Sequence, residues 1–534
     1  MGINRIADII RGENVLCGEN IFRLRIFVML VVFVMFCVLF LIMGYVLYGG
    51  FLSRVFQVGD NPTPAERLYD GRDYVPARSW LVLFGHHFAS IAGAGPIVGP
   101  TLALIYWGWL PAFLWVLFGS VFMGGVHDFG SMMVSLRNDG KSISEVSRIY
   151  VSEYARVLFS AFVWFALVLI VAVFAHFAAK SYVGDPHIVI PSLGLIPVAL
   201  IFLTYKLNIN LLISTILGIL GLIILIPLGE MFPIKASYHF WLLILLIYSF
   251  MASVIPVQYL LQPRDYISSY LLVGGILVMF AGALISGKHF NIPPVKSSDI
   301  PLVPFLFVTV ACGAISGFHS LISSGTSAKQ LPKERDSKKI SYGAMLLEGF
   351  LAVLVIAAVG SLSGGLDPSN PIGTFGKGVG NITPFLGSYG GYFAILVLNA
   401  FILTTLDTAT RIARYITTEF FGLKNIYISS AIVVICSLAL LLGGQADNLW
   451  TVFGAANQLL AALSLFVITA WLFKTKRNYI VSLIPAIFMS IITLWALVYQ
   501  FGKLNMVALI FAIALFILGV FVSLSSLMAI FKRA

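Results

Sequence analysis

A membrane-spanning segment that cannot complete its own backbone hydrogen bonding is the feature that most constrains this chain. Residues 86–101 read HHFASIAGAGPIVGPT inside an otherwise apolar run. Pro96 has no amide for the carbonyl of Ala92, and Pro100 has none for the carbonyl of Pro96. Glycines in the same turns weaken the helix further. Because an unpaired backbone group in hydrocarbon costs several kcal/mol, the break must face protein, water or a ligand.

The break offers backbone groups of both signs. The carbonyls of Ala92 and Pro96 lie about one helical turn apart and suit a small monovalent cation. The backbone that opens the second half-helix, at Gly93, Ala94, Gly95 and Pro96, suits an anionic substrate group. We therefore predict the floor of a transport site. A packing kink, in which the glycines admit a neighbouring helix, is the alternative.

Composition places the chain in a membrane. Of 534 residues, 60% are hydrophobic and 10% are charged, with a mean hydropathy of +0.99. A soluble chain carries about 25% charged residues, so we predict a polytopic membrane protein in contact with the lipid bilayer. The net charge of +11 does not indicate a nucleic-acid partner, because the basic residues are scattered through short loops. Oligomeric state stays open.

The cysteines and the first apolar run indicate neither a cofactor nor a cleaved leader. Cys17, Cys37, Cys312 and Cys436 are far apart and show no metal-ligand spacing. We expect no cofactor, only H⁺ or Na⁺ as a coupling ion. Phe27–Tyr48 is long enough for an anchor and lacks a small-residue cleavage site, so we predict a retained helix.

Hydropathy predicts an all-α protein with about fifteen spanning helices. We expect an N-terminal helix and loop (1–78), a first inverted repeat (79–235), a second inverted repeat (236–422) and C-terminal accessory helices (423–534). The helices after the first are predicted at about 80–105, 108–135, 156–180, 187–205, 209–229, 238–263, 266–287, 302–327, 340–363, 388–418, 426–443, 449–473, 479–501 and 505–530.

Loop charge predicts a cytoplasmic C-terminus. Loops 136–155, 328–339 and 474–477 are rich in lysine and arginine, and alternation through the helices puts them on one side. Opposite loops such as 365–387 contain few basic residues. The helix count then places the N-terminus outside, although the N-terminus itself carries four arginines. Loop 50–78 also carries four, so the two sides of the first helix are nearly tied in charge. Basic residues near the termini are Arg5, Arg11, Arg23, Arg25, Lys532 and Arg533.

A second interruption is predicted about 160 residues after the first. The sequence SVIPVQ at 253–258, followed by QPRDY at 262–266, interrupts the predicted helix 238–263. Counted from each broken helix, the chain forms a run of five helices. Because five is an odd number, the second run enters the membrane from the opposite face to the first. We therefore predict two inverted repeats whose broken helices meet near the midplane, with Gln258 in contact with the substrate.

Polar side chains form one stripe on the predicted helix 302–327. Ser316, His319, Ser320 and Ser323 recur at steps of three and four residues. We predict that the hydroxyls of Ser323 and Ser324 complete a cation site with the carbonyls of the first break. The alternative is that these serines bond to their own backbone.

Three carboxylates lie at apparent membrane depth, where each costs about 2.5–3.5 kcal/mol and needs a partner or a role. Arg411 follows Asp407 by one turn and predicts a local ion pair. Asp128 has Arg137 downstream, which favours a structural role. Glu348 has no local cation. We predict Glu348 as the first candidate for proton coupling, with Asp128 and Asp407 as further candidates.

Enzyme signatures such as HExxH, GxSxG and the Walker A motif do not occur in the sequence. A membrane-embedded enzyme that uses His86, His87 and Asp128 is an alternative of another class, and a passive channel is a further one. The predicted internal repeat favours a carrier, so we expect no enzymatic activity.

Several segments, in order from about residue 70 to 480, resemble the carbon starvation protein family. The resemblance implies a leucine-transporter-like core of two inverted five-helix repeats, within the amino acid–polyamine–organocation transporters. It also implies peptide uptake during carbon starvation, with close relatives that carry pyruvate together with protons. The segments are DGRDYVPARSW and FGHHFASIAGAGPIVGPTLAL (70–104), HDFGSMMVSLRNDGKSISEV (127–146), VIPVQYLLQPRDYIS (254–268), ACGAISGFHSLISSGTSAKQL (311–331), YGAMLLEGFLAV (342–353), LTTLDTATRIARY (403–415) and FGAANQLLAAL (453–463).

The chain departs from the family pattern in three places. The outer loop 365–387 is short, one N-terminal helix is predicted where some relatives have two, and His127 stands where relatives often have glutamine. The short loop bears on substrate size. The family motifs cover His86, His87, Gly93, Gly95, Pro96, Asp128, His319, Ser323, Ser324, Glu348 and Asp407.

The sequence therefore predicts a secondary transporter of the cytoplasmic membrane. Its substrate carries a carboxylate and is a short peptide or, as the alternative, pyruvate or another small carboxylate. The amides after Gly95 hold the carboxylate in this hypothesis, and His86, His87, Gln258 and His319 contribute side chains.

Overall fold

The computed structural model describes residues 30–203, 210–442, 446–504 and 506–531, and within these ranges it contains helices and no strand. The all-α class is confirmed. Cys17 and the basic residues near both termini that entered the sequence prediction lie outside the described residues.

The principal helices are labelled α1 to α19 in chain order. Several are broken or carry a π-helical turn, notably Ser120–Gly124 in α4 and Lys338–Tyr342 in α13. The helices are α1 (Leu30–Val55), α2 (Trp80–Ile91), α3 (Gly95–Trp107), α4 (Trp109–Leu136), α5 (Ile143–Tyr150), α6 (Glu153–Gly184), α7 (Val189–Leu203), α8 (Leu211–Met231), α9 (Tyr238–Val254), α10 (Leu261–Ile285), α11 (Leu302–Thr309), α12 (Gly317–Gly325), α13 (Glu334–Gly360), α14 (Pro371–Ile382), α15 (Tyr389–Phe421), α16 (Ile426–Leu442), α17 (Ala446–Lys474), α18 (Ile480–Gln500) and α19 (Met506–Phe531).

The helices are long enough for a multi-pass membrane protein. Over the described ranges, ten are long and apolar enough to cross a bilayer, and α2 with α3 would make an eleventh. Helices α7, α9 and α16 are apolar but shorter. The large exposed apolar side chains of the described helices are mostly Leu, Ile, Val and Phe, which suits contact with lipid.

The first predicted break is confirmed. Helix α2 ends at Ile91 and α3 begins at Gly95, with the two axes bent by 40°. The amide of Gly93 turns back to the carbonyl of Ile91 at 2.9 Å, and the amide of Val98 reaches Ala94 at 2.9 Å. Pro96 then lies in the first turn of α3, where a missing amide is tolerated.

The second break is not where the sequence predicted it. Helix α9 ends at Val254 and α10 begins at Leu261, so the interruption around Pro256 separates two helices and does not split one. Pro263 fits the first turn of α10 because that position needs no amide donor. The predicted continuous helix 302–327 is instead split, since α11 ends at Thr309 and α12 begins only at Gly317.

Partners distant in sequence satisfy the backbone of this second break. The side-chain oxygen of Asn457 on α17 accepts from the amide of Phe318 at 2.9 Å and thereby caps α12. The indole of Trp115 donates to the carbonyl of Val310 at 2.9 Å. A Cβ on Gly317 would lie 2.3 Å from the carbonyl oxygen of Asn457. Close backbone approach to α17 therefore requires glycine at this position.

Ion pairs and hydrogen bonds gather the basic loops at one end of the helices, which we call the basic face. Arg137 pairs with Glu334 at 2.6 Å, and Arg477 donates to the carbonyl of Phe56 at 3.0 Å. The loop after α1 therefore lies at the same end as the other basic loops. The face comprises the segments 56–79, 137–142, 326–333 and 475–479.

The contact between α12 and α17 predicts a stability difference between two glycines. Gly317→Ala is expected to destabilise the folded protein by about 1–3 kcal/mol, because the new methyl group meets fixed backbone. Gly274→Ala on α10 is the control, since no atom lies within 4 Å of its Cβ position. Thermal unfolding of both variants in detergent measures the difference, and equal midpoints would contradict the prediction.

Candidate functional site

The two breaks pack directly against each other. A Cβ on Gly95 would lie 2.2 Å from Cys312 Sγ, and one on Gly99 would lie 2.4 Å from the carbonyl oxygen of Thr309. A Cβ on Gly313 would lie 3.9 Å from Cα of Pro96. The backbone of α3 therefore approaches residues 309–313 as closely as side chains allow. The partner of the first break is this segment and not residues 254–258.

A cavity of about 420 Å³ lies where the two breaks meet. It opens at the end opposite the basic face, because α18 leaves that face at Ile480 and reaches the cavity at its last residue, Gln500. No charged side chain of the described residues lines it. The lining is mainly apolar and aromatic and comprises Gly95, Leu102, Tyr106, Trp107, Ile300, Phe305, Val308, Thr309, Ala311, Cys312, Pro368, Phe453, Gly454, Gln500 and Leu504.

Two helix ends of opposite polarity meet the cavity. Helix α3 begins at Gly95, and its first amides carry partial positive charge. Helix α11 ends at Thr309, and its last carbonyls carry partial negative charge. The uncharged cavity thus has one helix end of positive and one of negative partial charge in its wall.

Only some of the residues predicted to bind the substrate lie at this cavity. Gly95 lines it, whereas His86 and His87 lie in α2 on the basic-face side of the break. His86 Nδ1 lies 2.6 Å from Asp265 Oδ2, and His87 Nδ1 lies 2.7 Å from the Ser327 hydroxyl. Both histidines are therefore engaged with protein groups outside the cavity lining.

Gln258 is not at the break. Its amide nitrogen donates to the carbonyl of Gly71 at 2.7 Å, in the loop before α2. The prediction failed because it rested on a broken helix at 238–263, and residues 255–260 form a connection between two complete helices. Gly93 does face the interior, where a Cβ would lie 2.9 Å from Phe174 and 3.0 Å from the hydroxyl of Thr405.

The predicted oxygen cage is also arranged differently. The hydroxyl of Ser324 donates to Ser320 O at 2.7 Å and accepts from the amide of Ile143 at 3.1 Å, so it is engaged away from the first break. Ser323 has a buried hydroxyl without a hydrogen-bond partner among the described residues.

Hydroxyl groups on α15 take the position beside the first break that the sequence assigned to serines. Thr404 donates to the carbonyl of Ala89 at 2.7 Å, and Thr405 donates to that of Ser90 at 3.1 Å. These bonds satisfy carbonyls at the end of α2, which lack amide partners within the helix.

A chain of buried ionisable side chains lies behind Cys312. The carboxylate of Asp128 bridges two imidazoles, at 2.7 Å from His127 Nδ1 and 2.9 Å from His319 Nδ1. His319 Nε2 lies 3.2 Å from Glu348 Oε2. That contact is close enough for an ion pair, although neither carboxylate oxygen of Glu348 has an aligned hydrogen bond from the described residues. The predicted link from Asp128 to Arg137 is wrong, since Arg137 pairs with Glu334.

Donor atoms of three residues in this region lie within 4.8 Å of one another. Cys312, His319 and Glu348 supply sulfur, nitrogen and oxygen, and Asp128 orients the far side of the imidazole. Such a set can bind a proton between imidazole and carboxylate, and it is also the donor set of a divalent cation site. Metal removal therefore has to accompany any test of Glu348.

A second buried network was missed by the sequence analysis. Asp407 pairs with Arg264 of α10 and accepts from the hydroxyl of Tyr248 at 2.6 Å. The predicted local pair with Arg411 is wrong, because Arg411 reaches Asp73 at 2.9 Å. The sequence did contain an indication of this network. In the motif QPRDY, two charged residues, Arg264 and Asp265, directly follow Pro263 at apparent membrane depth.

Charged residues close the basic face. Arg411 and Arg414 of α15 both bind Asp73, at 2.9 and 3.0 Å. Burial would raise the pKa of Asp73, but the two guanidinium groups hold that pKa below its ordinary value. Lys329 lies 4.1 Å from the ring centroid of Tyr415, and burial lowers the pKa of this lysine. The loop before α2 is thereby tied to α15.

Comparison with known proteins identifies the family. The model of the family described as carbon starvation protein CstA matches residues 28–375 and 366–496. The peptide transporter CstA of Bacillus subtilis is 33% identical, over 84% of this chain and 87% of that protein. The chain belongs to the carbon starvation protein CstA family. The resemblance stated from its motifs is confirmed.

Other members of the CstA family have two kinds of name. The peptide transporter CstA of Escherichia coli is 32% identical, over 85% of this chain and 79% of that protein. The pyruvate/proton symporter BtsT of the same organism is 29% identical over the same shares of both chains. The family is therefore one of transporters.

Solved structures agree on the fold of this CstA-family chain. A manganese transporter of Eremococcus coleocola, crystallised with an aromatic bis-isothiourea compound, superposes with a TM-score of 0.58. It is 11% identical, and the match covers 88% of this chain and 99% of that one. At such identity the similarity concerns the fold alone.

The contact between the breaks predicts that Gly95 tolerates no side chain. Gly95→Ala places a methyl group on Cys312, and a clash of about 1–3 kcal/mol corresponds to an about 5- to 150-fold loss of uptake. Gly95→Leu is expected to abolish uptake while the protein still reaches the membrane. Cys312→Gly should partly restore the Gly95→Ala variant. Uptake of labelled substrate into vesicles, normalised to protein in the membrane, measures this. Normal transport by Gly95→Leu would refute the placement.

Proposed function

We propose that this protein is a secondary active transporter that imports short peptides across the cytoplasmic membrane. The cavity at the two breaks is the observation that carries the proposal. A peptide is a zwitterion, and the amides at Gly95 suit its carboxylate while the carbonyls at the end of α11 suit its ammonium group. Membership of a family of named peptide transporters supports the same conclusion.

The helix packing supports two inverted five-helix repeats with revised boundaries. Helix α10 packs on α2 and α15, and α17 packs correspondingly on α12 and α6. The second spanning helix of each half, α4 or α13, contains a π-helical turn, and a short helix, α5 or α14, follows it. We assign the repeats to residues 80–285 and 302–474 instead of 79–235 and 236–422. The hairpin α7–α8 is then an insertion in the first repeat.

This assignment also supports the predicted fifteen crossings. They are the ten long spans, the bent pair α2–α3, the three shorter apolar helices and the broken pair α11–α12. With the basic face in the cytoplasm, α1 starts outside and α19 ends inside. The loop after α1 belongs to the basic face, which supports an N-terminus on the outside. The C-terminus is cytoplasmic in this proposal.

Which end is closed defines the conformational state of the structure. Asp73 ties the basic face shut through Arg411 and Arg414, and the cavity opens at the other end. The structure thus corresponds to an outward-facing state in the proposed orientation. Inward release requires that α2 moves away from α15, which separates Asp73 from both arginines.

We assign proton coupling to Glu348, with Asp128 as the group that orients His319. An ionised carboxylate in this buried position is costly unless it is paired, so Glu348 has two acceptable states. It either binds a proton or pairs with a protonated His319 at 3.2 Å. Cys312 connects this site to the cavity. Asp407 keeps a compensated charge through Arg264 and is assigned no proton.

A sodium site is the alternative coupling device. It would use the carbonyls of Ala92 and Pro96 with the unpartnered hydroxyl of Ser323. Ser324 contributes less, since its hydroxyl already has two partners.

Pyruvate is the second candidate substrate, favoured by the similarity to the pyruvate/proton symporter BtsT. Counterflow in proteoliposomes with labelled dipeptide and labelled pyruvate decides between them. We expect exchange of the dipeptide, because only a zwitterion uses both helix ends. Uptake of pyruvate without dipeptide exchange would overturn the proposal. Separate sodium and pH gradients identify the coupling ion.

The assignment of Glu348 predicts a loss of pH response. An acidic outer medium should accelerate uptake by the wild-type protein, and Glu348→Gln should remove this acceleration because glutamine fixes the neutral state. Exchange without a gradient should persist. Glu66→Gln, the same change at an exposed position in the short helix Pro64–Arg67, is the control. A chelator should leave wild-type uptake unchanged. A retained pH response in Glu348→Gln would exclude this residue as the coupling group.

A further inference from the structure

The cavity contains one buried side chain whose hydrogen-bonding capacity is unused. Gln500 is the last residue of α18 and is only 3% exposed. Neither its amide nitrogen nor its amide oxygen has a hydrogen-bond partner among the described residues. Leaving a buried carboxamide without partners costs free energy. A buried carboxamide that lines a cavity and has no hydrogen-bond partner in the protein is available to a ligand that enters the cavity.

The surroundings of Gln500 offer it little else. The lining is mostly apolar, and the indole of Trp107 already donates to the carbonyl of Ile300 at 2.8 Å. Gln500 comes from a helix that packs against α11, as the contact of Phe305 with Tyr499 at 5.1 Å between ring centroids illustrates. It therefore enters the cavity beside the proposed ammonium end, from outside the two repeats.

A carboxamide is complementary to one chemical group above others. Its nitrogen donates to a carbonyl and its oxygen accepts from an N–H, so it pairs with a peptide group through two hydrogen bonds. A free amino acid and a small keto acid have no internal amide and cannot make this pair. Among the polar groups in the lining, the Gln500 amide has the donor and acceptor geometry for it.

We propose that Gln500 binds the peptide bond of the substrate and thereby selects peptides over single amino acids and small organic acids. This inference rests on the proposed function and deepens it. The helix ends at Gly95 and Thr309 hold the two termini, and Gln500 holds the amide between them. Selectivity for a peptide bond then comes from an accessory helix.

An ester analogue tests the proposal directly. Alanyl-alanine and alanyl-lactate have the same charges and nearly the same shape, but the ester lacks the N–H. Competition and direct uptake in proteoliposomes that contain the full chain measure kcat/KM for both. We expect the wild-type protein to prefer the amide by about 10- to 100-fold, because the ester loses one hydrogen bond and leaves the side-chain oxygen of Gln500 buried without a partner. Gln500→Leu should lower uptake of the amide and abolish the preference.

Gln500→Glu keeps one acceptor and is expected to retain part of the preference for the amide, since glutamate still accepts the N–H. Thermal stability separates binding from folding. Gln500→Leu should be as stable as the wild-type protein, because it removes an unpartnered buried group. Gln458→Leu is the matched control, since Gln458 donates to the carbonyl of Phe307 at 2.8 Å and is not part of the cavity lining. It should lower stability and keep the amide preference.

The outcomes distinguish the proposed role of Gln500 from the proposed function as a peptide transporter. Equal transport of amide and ester by the wild-type protein, or an unchanged preference in Gln500→Leu, overturns the role of Gln500 and leaves peptide transport standing. Failure of the wild-type protein to transport any dipeptide overturns both.

Discussion

Backbone groups without intrahelical partners at membrane depth are the constraint on which the rest of the structure depends. Two helices break, and the two breaks pack against each other. Gly95 and Gly99 lie against residues 309–313, and neither glycine position has room for a side chain. Remote residues supply the remaining bonds, as Asn457 and Trp115 do for the second break. The cavity between the breaks follows from this arrangement, since it is the space that neither broken helix fills.

The buried charges are separated from that cavity in a regular way. No charged side chain of the described ranges lines it, and the cluster that contains Glu348 lies behind Cys312. The pairs of Asp407 with Arg264 and of Asp73 with Arg411 lie toward the basic face. The helix ends at the cavity therefore have no charged side chain of the described ranges beside them. Asp407 and Arg264 join α15 to α10, whereas Asp73 joins the loop before α2 to α15. In the proposed transport cycle, movement of α2 therefore separates Asp73 from Arg411 and leaves the other pair in place.

Local sequence patterns predicted the features that depend on neighbouring residues. Proline and glycine spacing located the first break to within a few residues, and the isolation of Glu348 from any local cation is matched by its partner on another helix, His319. The same reasoning failed where proline occurs outside a helix interior. Pro256 and Pro263 predicted a broken helix. Pro256 lies in the connection between two helices, and Pro263 lies in the first turn of α10, where its missing amide has no consequence.

The sequence also did not predict which side chains pair with each other. Arg411 is one turn from Asp407 in sequence, yet α10 brings Arg264 closer and Arg411 turns to Asp73. Ser324 was predicted to complete the cation site, but its hydroxyl accepts instead from the amide of Ile143 on helix α5.

The sequence by itself determined the class of protein, the place of the first break, the family and the residues that carry charge into the membrane. These depend on composition, on the chemistry of proline and glycine, and on motif identity. Only the tertiary structure decided which segment meets the first break, which ion pairs form, and that Gln500 ends in the cavity. Such choices depend on residues hundreds of positions apart, and no local pattern records which of several chemically suitable partners the packing brings within reach.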